Sequence, residues 1–193
     1  MKTIMDNLYS ELVINKSKFI TNIIKVNNKD DIIKQLSIIK NKYSDATHNC
    51  YAYICDNLKK CNDDSEPSKT AGMPILTILE HENLNHVLCV VTRYFGGIKL
   101  GTGGLVRAYS NSVKKCLDKA IYKDILKGFE ISLTFEYEKI KIIDYLLKNC
   151  LITNKIFDDN ITYVINISSV EFNNIQHNLN NFCKINSKKN IFI

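Results

Sequence analysis

The residues best placed to do chemistry lie in one short run, Thr92-Arg93-Tyr94-Phe95-Gly96-Gly97-Ile98-Lys99-Leu100-Gly101-Thr102-Gly103-Gly104-Leu105-Val106-Arg107. Arg93 and Arg107 are the only arginines among 26 basic residues, and five of the seven glycines lie between them. Lysine serves where positive charge alone is enough, so two arginines flanking a glycine loop point to a use for the planar guanidinium. The run reads as strand, loop, helix. Glycines let backbone amides approach a ligand closely, and the first amides of a helix have no internal partner. A helix N-terminus favours an anion by about 0.3–1 kcal/mol, and each arginine hydrogen bond to a charged group adds roughly 1.5–3 kcal/mol. Arg93, Gly96, Gly97, Lys99, Gly101, Gly103, Gly104 and Arg107, the last in the first helical turn, are therefore expected to enclose a phosphate. Arg107, Asn111 and Lys114 share a helical face that extends the basic track. The alternative is packing: the glycines fit the helix against a sheet, and an arginine pairs with Asp63 or Glu66. The spacing is neither a Walker A loop nor a Rossmann fingerprint.

A second constellation is acidic: Asp63-Asp64-Ser65-Glu66-Pro67-Ser68-Lys69-Thr70-Ala71-Gly72, with His48 before a preceding strand. His48, Asp63, Asp64 and Glu66 can supply an acid/base pair or oxygen ligands, with Lys69 adding charge. Such runs more often cap a helix or pair with arginines, so no metal and no cofactor is expected. No Ser-His-Asp or Cys-His arrangement stands out, and His81, His86 and His177 read as surface or satisfied histidines.

These loops need a scaffold. Strands are expected at Leu8–Ile14, Lys18–Val26 and Asn49–Cys55, with a helix carrying Ile32, Leu36, Ile39 and Tyr43 on one face. Residues 56–72 read as a long irregular connection. Met73–Glu82 is a helix with Pro74 in its first turn. His86–Tyr94 is apolar on both faces, the mark of a central strand. The helix after the glycine loop buries Leu105, Tyr109, Val113, Cys116, Leu117, Ala120 and Ile121. Beyond a boundary near Lys123–Gly128, alternation in Phe129–Phe135 and Ile161–Ile167, with helical stripes at Ile140–Cys150 and Phe172–Phe182, gives βαββαβ, a ferredoxin-like sandwich. The expected class is α+β in two domains, 1–125 (mixed α/β) and 129–193. The open face of the second sheet would carry Glu130, Ser132, Thr134, Glu136, Thr162, Val164 and Asn166. It has no aromatic and two carboxylates, so it is a poor platform for RNA.

The composition, 45% hydrophobic and 24% charged, is that of a globular protein. No apolar run approaches the roughly 20 residues that cross a bilayer, and the N-terminus has no signal-peptide core. The seven cysteines are scattered with no CxxC pair, against a zinc or disulfide framework and in keeping with a reducing cytoplasm. The net charge of +6 is uneven: nineteen basic and thirteen acidic side chains fall in residues 1–128, seven of each in 129–193. The positive field suits phosphates or an acidic partner.

Three stretches resemble the IMPACT family, and the two-part layout resembles its bacterial YigZ-like branch. They are Ala46-Thr47-His48-Asn49-Cys50-Tyr51-Ala52-Tyr53, the acidic run extended through Met73-Pro74-Ile75-Leu76, and Val90 to Ser110. The resemblance implies a first domain like a ribosomal-protein and elongation-factor domain, and a second like the ferredoxin-like domains of elongation factor G. Eukaryotic relatives regulate translation by competing for the co-activator of an initiation-factor kinase, and for bacterial relatives the folds imply nucleic-acid or ribosome association. The family usually has glycine where this chain has Ser65 and Lys69; Ser65 would restrict the turn and Lys69 add charge. The reading that follows is a non-enzymatic, translation-associated regulatory protein binding RNA or ribosomal surface through the glycine loop. The alternatives are an enzyme acting on a phosphorylated small molecule and an interaction module for an acidic protein partner.

Overall fold

The computed structural model describes all 193 residues, Met1–Ile193, in two compact units, Met1–Asp124 and Ile125–Ile193. The first unit runs β1 (Lys2–Ile4), β2 (Leu8–Ile14), β3 (Ser17–Lys25), α1 (Lys29–Lys42), β4 (His48–Cys55), β5 (Leu58–Asn62), α2 (Gly72–His81), β6 (Val87–Tyr94), α3 (Gly101–Leu117) and β7 (Tyr122–Asp124). Five strands form an antiparallel sheet in the order β2-β3-β6-β4-β5, and β1 pairs with β7 in a separate ribbon.

β6 is the central strand, as its two-sided hydrophobicity requires. Val87, Cys89 and Val91 join the main core with residues of α2 and α3. Leu88 and Val90 face the other way, into a core with Ile32 and Ile39 of α1. Asn28 caps α1, its side chain accepting from the Asp31 amide at 2.9 Å.

The order departs from the expectation in three places. Residues 56–72 are not irregular throughout: Leu58–Asn62 pairs with β4 across a two-residue turn, with Asp56 in the left-handed region at φ 55°. The helix after the glycine loop begins at Gly101 rather than near Leu105, so Arg107 sits in its second turn. It ends at Leu117, leaving Ile121 64% exposed before β7. The ribbon partner β1 was too short to show a period.

The second unit runs β8 (Lys127–Phe135), α4 (Ile140–Leu146), β9 (Leu151–Phe157), β10 (Ile161–Ser168), α5 (Ser169–Phe182) and β11 (Lys184–Phe192). Its antiparallel sheet has the order β11-β8-β10-β9. Burial alternates along β10, with Ile161, Tyr163, Ile165 and Ile167 inside. Ser168 caps α5, accepting from the Glu171 amide at 3.1 Å. The exposed sheet face is a polar ladder, in which Thr134 and Thr162 hydroxyls meet at 2.7 Å and Asn186 donates to Thr134 at 2.7 Å. Glu136 lies past the end of β8, so Glu130 is the one carboxylate that strand contributes. No helix of either unit is long and apolar enough to cross a membrane.

Candidate functional site

The end of β6, the glycine loop and the start of α3 meet the acidic loop around a cleft of about 460 Å³. The cleft is lined by Thr47, His48, Glu66, Pro67, Arg93, Phe95, Lys99, Leu100, Gly101, Thr102 and Leu105. At its floor lies a buried ion pair. Arg93, 5% exposed, donates from Nη1 to Glu66 Oε1 at 2.6 Å. The Tyr109 hydroxyl donates to the same oxygen at 2.8 Å, and His48 Nε2 lies 3.8 Å from it. Burial, with Cys50 and Glu66 alongside, holds the Tyr109 phenol well above its ordinary pKa, so it stays a donor. Cys50 Sγ lies 3.0 Å from the Asp63 carbonyl oxygen and 3.3 Å from Tyr109 Oη; burial pushes its pKa up to about 12, far from a reactive thiolate.

Arg93 is held on further sides. Its Nη2 reaches Ser17 Oγ at 3.4 Å, and its guanidinium carbon lies 5.5 Å from the centroids of both Phe19 and Phe95. Its Nε is buried and has no hydrogen-bond partner. Arg93 is thus chiefly the partner of Glu66, the pairing alternative raised by the sequence, yet it still forms part of the cleft wall.

The acidic loop spends its other carboxylates on backbone. Asp63 Oδ1 accepts from the amides of Ala71 and Gly72 at 3.0 and 2.8 Å, and Oδ2 from Lys69 at 2.9 Å, which ties the loop to the start of α2. Asp64 Oδ2 accepts from the Asn49 amide at 2.6 Å and Oδ1 from Lys40 Nζ at 3.1 Å. His48 Nδ1 is 2.8 Å from the Asp64 carbonyl. Ser65 and Lys69 both adopt left-handed backbone, at φ 70° and 61°. No group of three or more His, Cys, Asp or Glu side chains converges to hold a metal ion.

The glycine loop is arranged differently. Its amide at Gly96 donates to Ser17 Oγ at 3.2 Å, and a Cβ on Gly96 would come within 2.0 Å of the Lys16 carbonyl carbon, so only glycine fits there. The Phe95 amide donates to Thr47 Oγ1 at 3.0 Å. Gly97 and Gly101 have φ of 84° and 69°, which glycine adopts without strain. Gly101, Gly103 and Gly104 form the first turn of α3, whose cap residue Leu100 makes no side-chain hydrogen bond to it. Lys99 is exposed, with no ion-pair partner. Arg107 is also exposed and lies one turn beyond Gly103, outside the cleft lining. Lys114 falls in the last turn of α3, where it complements the helix dipole, and lines a separate hollow with Ile78, Glu82 and Asp118.

The structure therefore brings together Arg93, Lys99, Gly101, His48 and Glu66, and leaves Lys114 apart. Ser17, Thr47, Phe95 and Tyr109 are the site residues that the sequence alone missed. Tyr109 had one signal: a hydroxyl on the buried face of a helix needs a partner.

An Impact N-terminal domain is the class that this arrangement defines: that family model matches residues 15–117. An IMPACT family member of Haemophilus influenzae is 36% identical over 163 residues, covering 80% of this chain and 79% of the relative. The chain belongs to the IMPACT family. The family member YvyE of Bacillus subtilis is 48% identical over 111 residues, 56% of this chain, and the match spans 51% of YvyE, about half its length. A crystal structure of a hypothetical protein superposes with a TM-score of 0.71 at 25% identity, covering 95% of both chains.

Proposed function

We propose that this protein is a translation-associated regulator that binds RNA or ribosomal surface through the cleft beside the glycine loop. The observation that carries the reading is the set of donors left over there. Glu66 neutralises Arg93, but Lys99 and the uncapped first turn of α3 have no internal partner. Their combined field is positive and favours an anion. The excess of basic side chains in residues 1–128 supports the same ligand sign, and the family resemblance implies the translational setting.

Fluorescence anisotropy with structured RNA over a salt series tests the reading. Two or three neutralised phosphates give a log–log slope of about −1.5 to −2.5. Lys99→Ala combined with Arg107→Ala should flatten that slope and weaken binding without unfolding the protein. Salt-insensitive binding, or binding indifferent to both changes, would overturn it.

One observation favours a second reading, an enzyme acting on a phosphorylated small molecule: the cleft has the volume of a metabolite site and is lined by both His48 and Glu66. A thermal-shift screen of nucleotides and sugar phosphates separates the two. A large shift with one metabolite, and no RNA binding, reverses the order.

A further inference from the structure

We infer that the cleft receives one unstacked nucleotide of a single strand, with its base against Phe95 and its phosphate at the head of α3. This rests on the RNA-binding reading above and names which part of an RNA enters.

A phosphate alone does not match these walls. Pro67, Leu100, Leu105 and Phe95 line the cleft with apolar surface, and burying an ion against such surface is unfavourable without compensation. Phosphates on the outside of a duplex bring no apolar group with them. A flipped-out base does. Phe95 is 46% exposed and is held in place by the hydrogen bond from its backbone amide to Thr47 Oγ1 and by the Arg93 guanidinium beside its ring. An exposed, fixed aromatic beside a positive rim is how sequence-tolerant single-strand binders stack bases.

The floor adds an edge for the base to meet. Glu66 is more than nine-tenths buried, yet it lines the cleft. All three contacts of Glu66 go to Oε1, so Oε2 is left as an acceptor in the same cleft. That acceptor complements a base edge that carries an amino group. Cytosine presents an amino group at N4, whereas uracil presents an acceptor oxygen at the same position. Carboxylates accept from cytosine N4 elsewhere in nucleic-acid recognition. Lys99 and the first amides of α3 remain for the phosphate.

The test compares labelled oligo-cytidylate, oligo-uridylate and an RNA duplex of equal length by anisotropy, on the whole chain. Oligo-cytidylate should bind tightest, several-fold above oligo-uridylate, and both above the duplex. Phe95→Ala should weaken single-strand binding roughly 5- to 100-fold, the worth of one stacked base, with thermal unfolding little changed. The three-ligand comparison on the unaltered protein needs no variant. If RNA binds with salt dependence and Lys99→Ala weakens it, but duplex and single strands bind alike, the nucleotide pocket is wrong and the RNA reading stands. Absence of binding to any of the three overturns both.

Discussion

Two loops border the cleft, and they direct their polar atoms in opposite senses. In the acidic loop, Asp63 and Asp64 accept from four backbone amides and one lysine, and Glu66 from Arg93 and Tyr109. In the glycine loop, Gly96 and Phe95 are pinned to Ser17 and Thr47, while Lys99 and the first turn of α3 stay unspent. The loop with more charged side chains is the more internally satisfied. Charge density in the sequence therefore marks structure in one loop, and the scarcity of side chains marks the candidate ligand surface in the other.

The largest effect should come from breaking the floor. Glu66→Ala leaves Arg93 buried without a counter-charge and should cost about 3–5 kcal/mol in urea unfolding. A loss under about 1 kcal/mol would mean that the pair is not buried in solution. Asp63→Ala should come next, at about 2 kcal/mol, because the amides of Lys69, Ala71 and Gly72 lose their acceptor. A near-neutral outcome would put the acidic loop on the same footing as the glycine loop.

Ser65→Gly and Lys69→Gly should each stabilise, by about 0.5 kcal/mol in thermal unfolding. Relief of a left-handed backbone outweighs the entropy that glycine gains when unfolded. Equal melting temperatures would show that the turn holds those residues without strain. Lys99→Ala should be the mildest for stability, within about 0.5 kcal/mol, yet should reduce the salt slope of RNA binding by about 1. Stability loss there would place Lys99 with the structural charges.

How much of this was legible from the sequence follows from the range of each interaction. Alternation and helical stripes gave the second unit's βαββαβ order and the central position of β6, because burial on one or two faces imposes a local period. The Asp56-Asn57 hairpin was hidden because Lys59 and Lys60 make β5 a polar, exposed edge strand with little periodicity. The helix start at Gly101 was hidden because glycine is a poor helix former, and no Ser, Thr, Asp or Asn caps it. The grouping of the arginines with a glycine loop was visible. The sequence leaves open which of two carboxylates Arg93 meets and does not point to Ser17 or Thr47, since those contacts join residues 27 to 76 positions apart.

An amide-resolved NMR titration of the whole protein with short single-stranded RNA tests the proposed cleft most directly. Saturable shifts are expected at Phe95 and at Gly101 to Gly104, suppressed by salt, with much smaller shifts at the amides of Lys69, Ala71 and Gly72 that Asp63 already holds. Shifts confined to residues 129–193, or none on either side of the cleft, would contradict it.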